Sequence, residues 1–406
     1  MIRMMFRLCL VWCVLTAGIG TAWSADPVDD PGWKEIVDKA AGQEVYWKAW
    51  AGQEATNSYI RWVTEEVRAR FGIVLHHVKI TNPSELVSGT LAEKTAGKNT
   101  DGATDLLWIN GENFLAMKEN GLLFGPFVSD LPNVRKYVDM TTPSFTHDFT
   151  VPVEGFEAPW GLSQVVFIYD TAVTPNPPKN MQELLAYAKA HPGRITHPQV
   201  RYFMGYTFLK QALYEMVEDR SELLAPATDE NFDRVTAPLW AWYDELRPHL
   251  WSRGTRFPES GQIQNQLLAD GEVDLSLSFW PFEASQMIRS GMFPKTVRTY
   301  VMDIGTIGNA NFLAIPYNSS SREAAMVVIN FLLSPEAQLL SQDPTVRGTF
   351  SVLDMDRLPE EYRRKFAEMD LGPATLSAKE LGTPLAEPHP SWLNRLVDEW
   401  HERYAD

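Results

Sequence analysis

Apolar and polar positions follow a repeating order early in the chain. GQEVYWKAW, residues 42–50, alternates and predicts a strand; a polar corner, Ala51-Gly52-Gln53-Glu54, follows, and apolar positions then fall at helical spacing from about Asn57 to Arg70. GIVLHHVKI, residues 72–80, is a second strand, and Asn82-Pro83-Ser84-Glu85 after it supplies an N-cap, a proline for the first turn and a capping-box acid. The third unit is DLLWINGENF. Leu106 to Ile109 reads as a strand buried on both faces, and Asn110-Gly111 is the strongest two-residue hairpin signal. No second strand follows, however. Phe114, Leu115 and Lys118 fall at helical spacing, and Asn120-Gly121 stops the helix. The unit is strand, polar corner, helix. Three such units in succession predict a doubly wound α/β lobe, whose ligands bind at corners beyond the carboxyl ends of the strands.

A second series follows a less regular segment, Gly125 to Phe156. GFEAPWGLSQVVFIYD reads as extended chain, and Asn180 caps a helix to about Ala190. A short strand is expected at Arg194–His197, then helices at Tyr202–Glu218, Asn231–Leu246 and Gln262–Ala269, a strand at Val273–Phe279, and a helix at Pro281–Arg289. The corner between the last two is Phe279-Trp280-Pro281-Phe282-Glu283. Asn311–Pro316 reads as a strand, Ser320-Ser321-Arg322-Glu323 as a capping box for a helix through Leu333, and Ser334-Pro335 as a helix restart. The tail from Val346 to Asp406 is charged and expected to be mostly helical. There is no internal repeat.

Composition narrows the class. Arg3, Arg7 and the run LCLVWCVLTAGIGTA have the form of a signal peptide, with cleavage expected after Ser24 and the run shorter than the ~20 residues that span a bilayer. Both cysteines, Cys9 and Cys13, lie in that leader, so the mature chain has no disulfide, no thiolate nucleophile and no Cys-ligated zinc. Trp12 argues against lipid on Cys13. No second apolar run is long enough to span a membrane. The full chain carries 36 basic and 52 acidic residues, net −16, and loss of Arg3 and Arg7 makes the mature chain more acidic still. Nucleic acid and anionic membranes are therefore poor partners. A chain of this length, without disulfides, divides into two lobes, since single cores stop growing at about 250–300 residues.

Signals for catalysis are weak. Gly161-Leu162-Ser163-Gln164-Val165 lacks the second glycine of a nucleophile elbow. His76 and His77 are adjacent on a strand and point to opposite faces, so they do not converge on a metal. Asp354-Met355-Asp356 lacks the glycine and glutamate of a calcium loop. Glu112 and Glu283 are a possible carboxylate pair for a glycosidase. No cofactor motif is present and nothing demands an enzyme.

GFEAPWGLSQVVFIYDTAVTPNPPKNMQELL resembles the lobe-crossing segment of ABC-type extracellular (periplasmic) solute-binding proteins, and NFLAIPYNSSSREAAMVVINFLLSPEAQ resembles their maltose-binding-like branch. EVYWKAWAGQEATNSYI, DLLWINGENFLAMKENGLLFGPF and LSLSFWPFEAS are similar to the YnjB-type subgroup. The resemblance implies a two-lobed Venus-flytrap of the type II periplasmic-binding-protein class, each lobe a doubly wound sheet flanked by helices. Lobe 1 is expected at 25–157 and 310–345, and lobe 2 with a C-terminal helical region at 158–309 and 346–406. The strand-end corners then face the cleft. Ligand contacts are expected from Trp50, Ala51, Gly52, Asn110, Gly111 and Glu112 of the first lobe. Trp160 lies at the crossing, and Arg201, Tyr202, Phe203, Phe279, Trp280 and Glu283 come from the second lobe. The implied role is a monomeric periplasmic receptor that hands a small molecule to an ABC permease. Aromatic rings with carboxylates suit a cationic or heteroaromatic solute, thiamine-like or a polyamine. Sugars also stack on Trp, Arg201 would suit an anion, and a secreted hydrolase using Glu112 and Glu283 is the rival class. Iron-binding members use adjacent tyrosines, which this chain lacks.

Overall fold

The computed structural model describes residues 30–51, 53–80 and 83–404. The expected signal peptide, Gly52 and Asn82 lie outside the described residues. The first lobe is built as its pattern suggests. Strand β1 (Glu44–Trp50) buries Val45, Trp47 and Ala49 on one face. Helix α1 (Glu54–Phe71) starts three residues earlier than apolar spacing predicts and ends at Gly72, whose left-handed φ of 69° lets its N–H reach the Arg68 carbonyl. Strand β2 (Val74–Ile80), helix α2 (Ser84–Thr95), strand β3 (Leu106–Ile109) and helix α3 (Glu112–Glu119) follow. β1 pairs in parallel with both β2 and β3.

Two further strands complete this sheet and lead out of it. β4 (Glu157–Gln164) pairs antiparallel with a late strand, Gly308–Ala314, which also pairs with β3. The sheet order is β2, β1, β3, Gly308–Ala314, β4. Past Gln164 the chain enters a second sheet as β5 (Val166–Asp170), paired antiparallel on either side with β6 (Leu275–Ser278) and β7 (Val297–Tyr300). Gly308–Ala314, labelled β8, returns to the first sheet. Gly308 N–H bonds to the Leu385 carbonyl and Leu385 N–H to Thr306, so the tail makes a third crossing beside the other two.

The cores are separate. One gathers β1, β2, β3, β8 and the helices at 322–342 and 360–367; a second gathers β5, β6 and the helices at 181–190, 203–216, 232–246 and 391–404; a smaller third cluster sets Ile168 and Val297 of the second sheet with Leu268, Val273, Ala284 and Phe293. Among the described residues no single helix is long and apolar enough to cross a membrane. The apolar pair Arg322–Leu332 and Pro335–Gln342 is bent by 61° and packs into the first core.

Three local expectations fail for physical reasons. Arg194–His197 forms no ladder, because its carbonyls are taken singly: Arg194 O by the Asp274 N–H, Ile195 O by Trp251 N–H and Thr196 O by the Gln264 side chain. The capping box at Ser320 does not form; Ser320 Oγ donates to Asp101, and Ser321 is the cap without a side-chain bond. The tail is only partly helical, at 360–367, 378–381 and 391–404, and residues between these wrap both cores.

Candidate functional site: the cleft between the lobes

Trp50, the last residue of β1, and Trp108, in β3, belong to the first lobe; Trp280 follows β6 of the second. Trp280 points away from its own lobe because its N–H is held by Ser278 Oγ at 2.9 Å and Pro281 turns the chain immediately after. The Trp50 and Trp280 rings stack across the lobes at 5.6 Å between centroids and 23° between planes, and Trp108 stands edge-on to each at 6.3 Å. Two indoles are fixed by their Nε1–H groups: Trp280 donates to Thr349 Oγ1 at 3.1 Å and Trp108 to Asn311 Oδ1 at 3.3 Å. The result is a slot that stands shut: its two indole walls touch each other, leaving no room for a third ring between them, and Trp108 forms the edge-on floor.

The corner after β3 answers the hairpin question. Gly111 adopts φ 59° and ψ −125°, a conformation few residues besides glycine tolerate, and its N–H donates to Asp148 Oδ2 at 2.5 Å. Asn110 spends its amide on the Ala310 carbonyl at 2.6 Å. Together these turn the chain into α3, with Glu112 as its first residue. Glu112 is half-buried, and burial raises its pKa, against a partial opposing pull from the Lys210 charge. Facing it from helix 203–216 is Lys210, ion-paired with Glu387 of the tail; both are at most 2% exposed. The Lys210 ammonium also lies 5.0 Å from the Phe149 ring of the first lobe and 5.1 Å from Tyr206. Asn309 Nδ2 reaches Glu387 Oε1 at 3.5 Å. Behind the corner, Asp148 and Glu157 are completely enclosed, and desolvation pushes both carboxyls well above the ordinary range.

Of the expected contacts, the structure gathers Trp50, Ala51, Asn110, Gly111, Glu112 and Trp280 at this cleft. Trp160 lies instead in the first core, fully buried, 5.0 Å from Trp108 and under the Arg347 guanidinium at 3.8 Å. Its position on the crossing strand faces inward, so it supports the slot from behind. Phe279 is buried in the second core. Glu283 accepts a short hydrogen bond from Ser278 Oγ, so its carboxylate is engaged within its own lobe, and burial raises its pKa. Arg201, Tyr202 and Phe203 stand exposed at the start of helix 203–216, the two rings at 42% and 39%; Arg201 lines an outer groove of about 630 Å³ with Arg247 and Trp251. Gly52 lies outside the described residues.

Sequence reasoning missed Trp108, Lys210, Glu387, Asp148 and Arg347. Trp108 sat in a strand read as core on both faces. The others come together only through long-range folding. The discarded signals also have structural explanations: His76 stacks on Tyr46 and pairs with Glu44, His77 turns toward Trp47, and Ser163 Oγ accepts from the Asn311 amide. Among the described residues, no three His, Cys, Asp or Glu side chains gather as a metal site.

The arrangement sets flat ring faces beside carboxylates. Residues 62–350 match the family described as bacterial extracellular solute-binding protein. Protein YnjB of Escherichia coli (strain K12) is 42% identical over 373 residues, 92% of this chain and 94% of its own. Among solved structures, the periplasmic binding protein AfuA from Actinobacillus pleuropneumoniae, with fructose-6-phosphate bound, superposes with TM-score 0.60 at 13% identity over 90% of this chain and 99% of its own. The spermidine/putrescine ABC transporter substrate-binding protein PotD from Streptococcus pneumoniae gives 0.57 at 15% identity over 88% and 99%. At such identities these two report the fold, that of type II periplasmic binding proteins, and leave the solute undefined.

Proposed function

The chain belongs to the bacterial extracellular solute-binding proteins, and from that premise we propose that it closes its lobes on a flat, cationic heteroaromatic solute and delivers it to an ABC permease. The observation that carries this reading is the slot formed by Trp50, Trp108 and Trp280, with Glu112 at the neighbouring corner. When the lobes part, the two indole faces separate and become free to accept a planar ring, and their quadrupoles favour a positive one. Carboxylates outnumber the single ammonium of Lys210 around the polar part of the cleft, which adds long-range attraction for a cation. Thiamine-like solutes match both parts. A polyamine matches only the acidic part, and a sugar only the rings.

The mature receptor begins near Ala25 in the periplasm, works as a monomer, and divides at the crossings near 157–165 and 300–310, with the tail shared between lobes. It turns nothing over. Calorimetry with planar cations, neutral quinoline and unsubstituted sugars tests the reading. Planar cations are expected to bind and to release unaltered; binding of sugars alone, or conversion of any compound, refutes it.

A further inference from the structure

We infer that Lys210 is the specificity-determining residue that restricts the cleft to solutes carrying a single positive charge. This rests on the cation reading above and adds to it the number of charges. Lys210 lies in the middle of helix 203–216, and a lysine so deeply enclosed is retained only when its charge is matched. Glu387 matches it. Phe149 from the opposite lobe and Tyr206 from its own helix then present ring faces to the same ammonium. A carboxylate and two ring faces are what an amine ligand would seek, so the protein's own ammonium already occupies that position.

One carboxylate at the cleft is left over. Glu112 accepts a hydrogen bond from Asn113 and has no ion pair among the described residues. Asp148 is engaged by the Gly111 N–H, and Glu157 is sealed behind it at 0% exposure, so neither reaches a solute. The two compartments adjoin: Asn311 holds Trp108, and Asn309, two residues earlier on β8, holds Glu387. Two residues of strand span about 7 Å. A ring in the slot that carries a second ammonium on a short arm therefore brings that charge against Lys210.

Matched probes test this on the full mature chain by titration calorimetry. N-methylquinolinium carries one charge; 1-(3-aminopropyl)quinolinium has the same ring and a second charge. The wild type is expected to prefer the monocation by about tenfold or more, the scale of a single unfavourable charge contact. Lys210→Met exposes Glu387 to the solute, and the preference should invert. In Lys210→Met/Glu387→Gln both charges are gone and the ratio should approach one, which keeps the test decisive if the single variant fails to fold by circular dichroism. Equal binding of both probes by the wild type, or a tenfold monocation preference surviving in the double variant, overturns the role of Lys210. Absence of binding by both probes overturns the cation reading itself.

Discussion

Replacing Trp280 with alanine tests whether the closed cleft is held by rings that meet from different lobes. Trp280 stacks on Trp50 at 5.6 Å, meets Trp108 edge-on at 6.3 Å, and donates Nε1–H to Thr349. An aromatic pair contributes about 0.5–1.5 kcal/mol beyond area burial, and a neutral hydrogen bond about 1 kcal/mol. The ring keeps some exposure at the cleft, so the two pairs deliver the lower part of that range. The loss should be about 2 kcal/mol of closure and binding, near thirtyfold in affinity for a planar cation. Trp280→Phe keeps a stacking face and loses the bond to Thr349, so about half the effect should remain. Small-angle scattering of the ligand-bound forms should show Trp280→Ala with the larger radius of gyration at equal ligand concentration, while circular dichroism melts stay near those of the parent. Unchanged affinity and unchanged scattering in Trp280→Ala would refute the reasoning, because the ring would then be a bystander at the cleft edge.

Other substitutions probe the supports of the site. Arg347 is enclosed with no carboxylate partner among the described residues, and burial lowers its pKa to about 10; it rests on Trp160 and donates to Ser341. Its charge costs about 3 kcal/mol to enclose, against ring contacts of comparable total, so Arg347→Met should change unfolding free energy in urea by no more than about 1 kcal/mol. Arg347→Ala, which leaves a cavity, should cost about 3 kcal/mol; a loss that large in the Met variant would show that the charge itself stabilises. Gly111→Ala should lose about 2–4 kcal/mol, since its positive φ disfavours a Cβ and that atom would lie 2.8 Å from Phe149; an unchanged denaturation midpoint contradicts the strained-corner account. His197 is stacked between Phe208 and Phe257, donates Nδ1–H to the Pro198 carbonyl and accepts from Tyr243, and burial lowers its pKa from 6.5 to about 4. Protons then bind the unfolded chain first, so its contribution is intact above pH 6.5 and falls as pH drops toward 4, by about 2 kcal/mol at pH 5. His197→Phe should lack that component, and a pH dependence identical to the parent's would exclude it.

The first lobe was legible because its units are local. Each strand, corner and helix is written within about thirty residues, and the decision at Asn110-Gly111 turned on spacing three to eight residues away. Where local signals failed, a distant group had taken over the backbone or side chain. Arg194–His197 has strand-like residues, yet its carbonyls are claimed by Asp274, Trp251 and Gln264. Ser320 has a capping sequence, yet Asp101 holds its hydroxyl. Alternation also cannot say which face of a crossing strand becomes the cleft, so Trp160 reads as a contact alongside Trp280. Proline distinguished Trp280; nothing local revealed that Arg347 would cover Trp160 from 187 positions later in the chain.

The same limit separates the two carboxylates expected at the corners. Glu112 and Glu283 each open a helix after a strand, and sequence gives them equal standing. Ser278, five residues before Glu283, closes a hydrogen bond back onto it and makes it part of the β6 terminus. Glu112 is held by its own backbone N–H and a 3.3 Å bond from its neighbour Asn113, has no ion pair among the described residues, and faces a lysine already committed to Glu387. Burial raises the pKa of both carboxyls, but only Glu112 stands where a solute's charge can relieve that cost on closure. On the proposed reading, selectivity for charge resides in the unequal partnering of Glu112, Lys210 and Glu387, residues with no common motif that meet only when both lobes and the tail have folded.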